Sequence, residues 1–163
     1  MAGNQNWRTP NEFFDGVNDF VGGFDIDVCA SNDNAKCEKY FTIEEDALKQ
    51  DWEGLCWCNP PYSNIKPFMQ QAISQAYGND VETFMLIPAN FDTKYYHELV
   101  FDMVEFVEAV YVVKGRLRFL GENNEPLGTP KFPSVVIHYK HSPETPINFY
   151  TCSRDFKTIK KVS

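Results

Sequence analysis

Apolar and polar positions along this chain fall into runs of changing period. Phe13, Phe14, Val17 and Phe20 recur at helical spacing, with Pro10 just ahead of them and acids among the first residues. This predicts an amphipathic helix over 11–21, stopped by Gly22-Gly23. Residues 24–29, from Phe24 to Cys29, read as a short strand, and 30–35 as a polar loop. Residues 38–50 suggest a second short strand and a turn near Asp46-Ala47-Leu48. Leu55-Cys56-Trp57-Cys58 is a strand running straight into Asn59-Pro60-Pro61-Tyr62. A helix over 66–77 follows, with Phe68, Met69, Ala72, Ile73 and Ala76 on one face. Strands are predicted at 81–87, closed by Pro88, at 106–113, at 132–139 and near Phe149, with a helix at 93–103, a turn at Gly115 and a basic tail. Residues 1–6 are polar and read as a tail.

The runs at 55–58 and 81–87 are apolar on both faces, as buried parallel strands are. Strands alternating with helices indicate the α/β class. The expected architecture is a mostly parallel sheet, with antiparallel edge strands near the C-terminus. No repeat or linker divides residues 1–163, so one domain without a separate target recognition domain is expected. Such sheets bind ligands beyond the carboxyl ends of their strands. Asp27, Asp46 and Asn59 all fall at such exits and should converge on one rim. No G-x-G-x-x-G or P-loop pattern is present, which argues against dinucleotides and nucleoside triphosphates.

Composition refines this picture. With 43% apolar and 23% charged residues, the chain should be globular. Its net charge of −8 speaks against a uniformly basic nucleic-acid binder. The charge is uneven, however. Residues 1–100 hold 6 Lys/Arg against 16 Asp/Glu, whereas residues 101–163 hold 9 against 7. A local basic surface on an acidic body is therefore available, and Lys114, Arg116 and Arg118 cluster beside Phe119, with Lys131 further on. The alternative is that Lys-x-Arg-x-Arg forms the solvent face of a strand. The five cysteines lack zinc-finger or ribbon spacing, so no metal site is expected. No signal peptide or run long enough to span a membrane is visible, which makes the cytoplasm the expected compartment.

Asn59-Pro60-Pro61-Tyr62 suits chemistry on a planar amine. The lone pair of such an amine is drawn into its ring. Two acceptors that take both N–H bonds push the nitrogen towards tetrahedral geometry. The Asn59 side-chain carbonyl and the Pro60 main-chain carbonyl are the candidates. The prolines fix the backbone and remove donors where acceptors are needed. Tyr62 offers a flat face to a base. A plain turn can also contain Asn-Pro-Pro, but the position at a strand exit favours chemistry.

With this unit in place, the chain resembles amino-group DNA methyltransferases. It is most similar to the small phage-type DNA adenine methyltransferases of the Dam family, over roughly residues 7–140. The landmarks are Trp7-x-Thr9-Pro10, Asp27-Val28-Cys29-Ala30-Ser31, Asp46-x-Leu48, Asn59-Pro60-Pro61-Tyr62, Ile87-Pro88-Ala89, Gly115-Arg116-x-x-Phe119 and Phe132-Pro133-Ser134. The resemblance implies a Rossmann-like fold, S-adenosylmethionine as methyl donor, and adenine in DNA as acceptor. If the source is a phage, the compartment is the host cell cytoplasm. It implies that Thr9 and Pro10, with Trp7 nearby, meet the methionine end of the cofactor. Asp27, Cys29 and Ala30 would lie beneath the cofactor, and Asp46 would accept from its adenine amine. Asn59 would serve both the cofactor and the target amine. Tyr62 and Phe119 would sandwich the flipped base, and Lys114, Arg116 and Arg118 would grip phosphates.

Each position also has a plainer reading. Asp27 could cap the following segment. Asp46 could be a helix N-terminal acid. Trp7-x-Thr9-Pro10 could be helix-entry packing. The loop 30–34 departs from the family pattern in having no glycine, and the acid for the cofactor ribose is open among Asp25, Glu38 and Glu44. Methylation of a protein glutamine amide, methylation of cytosine, and a decayed, non-catalytic binding fold are the competing functions.

Overall fold

The computed structural model describes residues 7–162; the polar tail expected at residues 1–6 lies outside them. In chain order the strands are β1 (Ile26–Asp27), β2 (Leu55–Cys58), β3 (Glu82–Pro88), β4 (Val107–Val113), β5 (Ser134–Tyr139), β6 (Asn148–Cys152) and β7 (Ile159–Lys161). The helices are α1 (Asn11–Val21), α2 (Ile65–Asn79) and a short α3 (Lys94–Tyr96). One sheet joins all seven strands in the order β1-β2-β3-β5-β4-β6-β7.

The α/β class holds, but the sheet is not mostly parallel. Of its six pairings, β1–β2, β2–β3 and β4–β6 are parallel, while β3–β5, β4–β5 and β6–β7 are antiparallel. Nor are the antiparallel strands confined to an edge. The β4–β5 connection contains no helix, so the chain turns back and β5 enters between β3 and β4. A parallel return usually runs through a helical crossover, and residues 114–133 hold no helix.

Side chains alternate between two cores, as the two-residue period of a strand requires. Trp57, Phe84, Leu86 and Val136 face α1, which contributes Phe13, Phe14 and Val17. Cys56, Cys58, Met85, Ile87, Val135 and Ile137 face the other way, onto Phe68, Met69 and Ala72 of α2. Gly22 ends α1 with φ 83° and donates back to Asp19, so the predicted stop is present. Gly16 lies on the buried side of α1, directly against the Asp155 carbonyl.

Three elements depart from expectation. The strand expected at 24–29 shrinks to Ile26–Asp27, flanked by a single bridge from Asp27 to Tyr40 in place of a second strand. The helix expected at 93–103 is one α-turn that continues as a π-helical turn, His97–Phe101. It is held down by two buried hydroxyls: Tyr96 donates to the Pro88 carbonyl at 2.6 Å and Tyr139 to the Leu99 carbonyl at 2.9 Å. The basic tail forms an additional strand, β7, on β6.

Candidate active site

Neighbouring β1 and β2 run parallel, so Asp27 and Asn59 leave the sheet on the same side. Beyond them lies a cleft of about 700 Å³. That size falls within the range of small-molecule sites. Trp7, Thr9, Asp27, Cys29, Ala30, Asp46 and Asn59, all singled out in the sequence, line it together. Pro10 does not; it stands at the N-cap of α1. Pro61 reaches the cleft, whereas Pro60 is buried and Tyr62 points into the aromatic cluster described below.

Asn59 is held in one orientation. Its side-chain nitrogen donates to the Trp7 main-chain carbonyl at 2.9 Å and to Thr9 Oγ1 at 3.1 Å. A main-chain carbonyl can only accept, so the atom facing it must be the NH2. Both amide hydrogens are thereby used, and Oδ1 is the acceptor that remains.

Asp27 is buried, and both its carboxylate oxygens accept main-chain N–H groups: Oδ1 from Cys29 at 3.2 Å and Oδ2 from Lys36 at 3.0 Å. It therefore closes the 29–36 loop, the capping role that was its plainer reading, and also borders the cleft. Burial raises its pKa from 3.8 to about 7, although the two N–H donors pull the other way. Burial, helped by Asp27, pushes the Cys29 thiol up to about 12, so it is no nucleophile at neutral pH. Asp46 caps a 3₁₀ turn, Ala47–Lys49, accepting from Leu48 N at 3.1 Å. Its φ of 54° lies in the left-handed region, a strained setting for a non-glycine residue.

Asp25, Glu38 and Glu44 do not line the cleft; its acids are Asp27, Asp33, Asp46 and Glu122. Asp25 is committed elsewhere, accepting from Leu55 N at 2.8 Å at the start of β2. Sequence reasoning also missed Arg8. This residue is only 8% exposed and borders the cleft. It pairs with Asp33 at 3.0 Å and donates to Asn124 at 3.3 Å, while its Nε–H is buried without a partner among the described residues. Its place between two landmark residues, Trp7 and Thr9, was the available signal. The apolar wall of Phe41, Ile43 and Phe68 was also missed, though the alternation of Phe41-Thr42-Ile43 foreshadows it.

Beside the cleft, Trp7, Tyr62, Phe119 and Phe132 pack as an aromatic cluster. Trp7 stacks on Phe132 at a centroid distance of 5.4 Å, and Tyr62 meets Phe119 edge-on at 6.0 Å and 86°. The expected sandwich of Tyr62 and Phe119 is therefore not open. Phe119 is 1% exposed, because in the irregular stretch after β4 Leu117 and Phe119 turn inward while Lys114 and Arg118 turn outward. Burial raises the Tyr62 phenol well above its ordinary range, and its hydroxyl has no partner among the described residues.

The sequence matches the family described as DNA N-6-adenine-methyltransferase (Dam) over residues 2–160. The chain belongs to this family. It is 36% identical over 121 residues to the DNA N-6-adenine-methyltransferase of Haemophilus phage HP1 (strain HP1c1), covering 73% of this chain and 67% of that protein. It is 31% identical over 145 residues to the protein of the same name from Escherichia phage T1, covering 80% and 60% respectively. The chain thus spans about two thirds of these relatives' length. A chain of a type I R-M system superimposes with a TM-score of 0.49 at 12% identity, over 72% of this chain and 28% of that one, a likeness too slight to add to the sequence match.

On this Dam-family chain the basic stretch is divided. Arg116 donates to the Pro130 carbonyl at 2.7 Å, stapling the stretch to the segment before β5. Lys114, Arg118 and Lys131 are exposed. Since β4 ends at Val113, the stretch is not the face of a strand.

Proposed function

We propose that this chain transfers the methyl group of S-adenosylmethionine to the exocyclic amine of adenine in DNA. The observation that carries the reading is the fixed amide of Asn59 in the cleft lining, whose NH2 is engaged by Trp7 and Thr9 and whose Oδ1 is left as the acceptor. An amine whose hydrogens must be held and later lost needs acceptors at this point.

The cleft suits the cofactor by shape and charge. Phe41, Ile43 and Phe68 offer apolar faces for an adenine ring, and Asp46 stands beside them as an acceptor for its amine. Asp33, Asp46 and Glu122 give the lining the negative character that a sulfonium and an ammonium group require, with Arg8 and Lys36 as its cations. When bound, S-adenosylmethionine supplies an electrophilic methyl whose bond to sulfur breaks as its bond to the amine nitrogen forms.

The chain's own residues position and polarise. Asn59 Oδ1 and the Pro60 main-chain carbonyl receive the two amine hydrogens and concentrate electron density on the nitrogen. This is catalysis by orientation and preorganised dipoles, without a covalent enzyme intermediate. Tyr62 supports the base on its ring, and the target nucleotide leaves the duplex to reach it. Trp7, Cys29 and Ala30 frame the methionine end. The phosphate grip falls on Lys114, Arg118 and Lys131, with Arg116 holding their segment in place. A role in DNA modification puts the site of action in the cytoplasm. No helix among the described residues is long and apolar enough to cross a membrane.

The test is direct. Purified protein is incubated with S-adenosylmethionine and duplex DNA, and the DNA is digested to nucleosides for mass spectrometry. N6-methyladenine is the expected product. Methylcytosine alone, or cofactor binding without any methylated nucleoside, overturns the reading.

A further inference from the structure

We propose that Thr9 is a positioning residue for catalysis, acting through Asn59 by holding its side-chain amide in the orientation that the Trp7 main-chain carbonyl sets. The proposal rests on the methyl-transfer reading above.

An asparagine amide is nearly symmetric in shape, but its two ends have opposite chemistry. Rotated by half a turn, Asn59 would present NH2 to the target amine, and donor would then face donor. The strand exit alone does not prevent this, because rotation about the terminal torsion of Asn is soft and broad. The 7–9 segment does. Trp7 supplies a main-chain carbonyl at 2.9 Å, and Thr9 supplies a hydroxyl oxygen at 3.1 Å. A flip would press Oδ1 against the Trp7 carbonyl, which can only accept, whereas the Thr9 hydroxyl can donate as well as accept. The Trp7 carbonyl thus selects the orientation that leaves Oδ1 as the remaining acceptor, and Thr9 Oγ1 takes the second hydrogen and holds the amide there.

Thr9 is well suited to hold this geometry, because it is 2% exposed and cannot exchange its contact for water. Its segment is itself anchored. Arg8 N donates to the Leu120 carbonyl at 2.8 Å, and Leu120 N donates back at 3.0 Å. The Arg8 side chain adds the Asp33 and Asn124 contacts. The main chain that carries both acceptors is thus tied down on either side of the cleft. Of the two acceptors, only that of Thr9 belongs to a side chain, so only it can be removed by substitution without altering the backbone.

Thr9→Val keeps the shape and removes the acceptor; Thr9→Ser restores it. The expected result is a fall in kcat of at least about fivefold for Thr9→Val, the consequence of losing one hydrogen bond that holds a reacting group. Thr9→Ser should recover to within about twofold of wild type. S-adenosylmethionine Kd by calorimetry and KM for DNA should move by less than about twofold in both. In an Asn59→Ala background, Thr9→Val should add less than about twofold, because there is no amide left to orient. Thermal melts accompany every variant. Should Thr9→Val not fold, Thr9→Ala removes the same acceptor, with the γ-methyl lost as well. Unchanged kcat in the folded acceptor-free variant overturns the proposal, as does an equal loss in Thr9→Ser. A rise in cofactor Kd that accounts for the whole loss also overturns it, and assigns Thr9 to the cofactor instead. Wild-type protein that forms no N6-methyladenine in the same assay overturns the methyl-transfer reading, and the positioning role with it; a normal wild type with an indifferent Thr9→Val overturns the positioning role alone.

Discussion

Asn59 and Asp27 sit side by side at adjacent strand ends, yet the structure sets them different tasks. Asn59 presents an acceptor fixed by two contacts. Asn59→Ala should lower methyl transfer by at least about 10²-fold, the usual scale for removing one preorganised polar contact. Single-turnover kinetics at saturating cofactor will measure it, and near-normal turnover would remove Asn59 from the reaction. Asp27 instead holds a proton that an exposed carboxyl would have lost. Its pKa is raised from 3.8 to about 7, so between those values the folded state binds more protons than the unfolded chain. Its contribution to stability is therefore full below about pH 4 and is lost as the pH rises towards 7. Asp27→Asn keeps one acceptor oxygen and abolishes the titration. Between about pH 5 and about pH 8, the wild-type Tm should consequently fall further than that of Asp27→Asn. Parallel melting curves across this range would show instead that the carboxyl is ionised in the folded protein throughout.

At the level of elements, α1 and the stretch after β4 are each fixed by a main-chain carbonyl distant in sequence. The contact of Gly16 with the Asp155 carbonyl lets α1 lie close on the turn before β7. A methyl group there would overlap main chain that cannot easily yield. Gly16→Ala should destabilise by about 1–3 kcal/mol despite its better helix propensity, and a thermal melt will show a Tm several degrees lower. In the basic stretch, the exposed Lys114 and Arg118 are the proposed phosphate contacts. Lys114→Ala with Arg118→Ala should weaken DNA binding and flatten the log-log salt dependence by about 0.9 for each phosphate no longer neutralised. Cofactor affinity should stay unchanged, and a parental salt slope would place the DNA elsewhere. The units around Asn59 were legible beforehand because β2, the Asn-Pro-Pro-Tyr exit and α2 each follow a local period. The rest depends on partners distant in sequence. Nothing local says that β5 enters mid-sheet, that 159–161 finds an edge to pair with, or that Tyr96 and Tyr139 pin a segment as a π-turn. Phe119 was expected to face the base and is buried instead, because Gly115-Arg116-Leu117-Arg118-Phe119 reads equally well as a face or as an alternation.

For the whole molecule, the acidic 1–100 portion surrounds a cleft suited to a cation, while the basic surplus lies beyond residue 100. One chain thus separates by sign the two partners it is proposed to bring together, a cationic cofactor and a polyanion. The sheet order has a consequence for how this molecule is made. β5 is hydrogen-bonded on both sides, to β3 and to β4, and it follows both of them in the chain. A nascent chain that has left the ribosome only as far as Phe132 therefore exposes one edge of β3 and both edges of β4, whose other neighbour, β6, also comes later. Unpaired edges of this kind invite pairing with other chains. Synthesis of the last thirty or so residues is then the period of greatest exposure to aggregation and of greatest use for a chaperone. Chains released before residue 134 should sediment as aggregates, whereas full-length chains stay in the supernatant. A soluble, protease-resistant truncation would mean that β1 to β4 can close without the three strands that follow them.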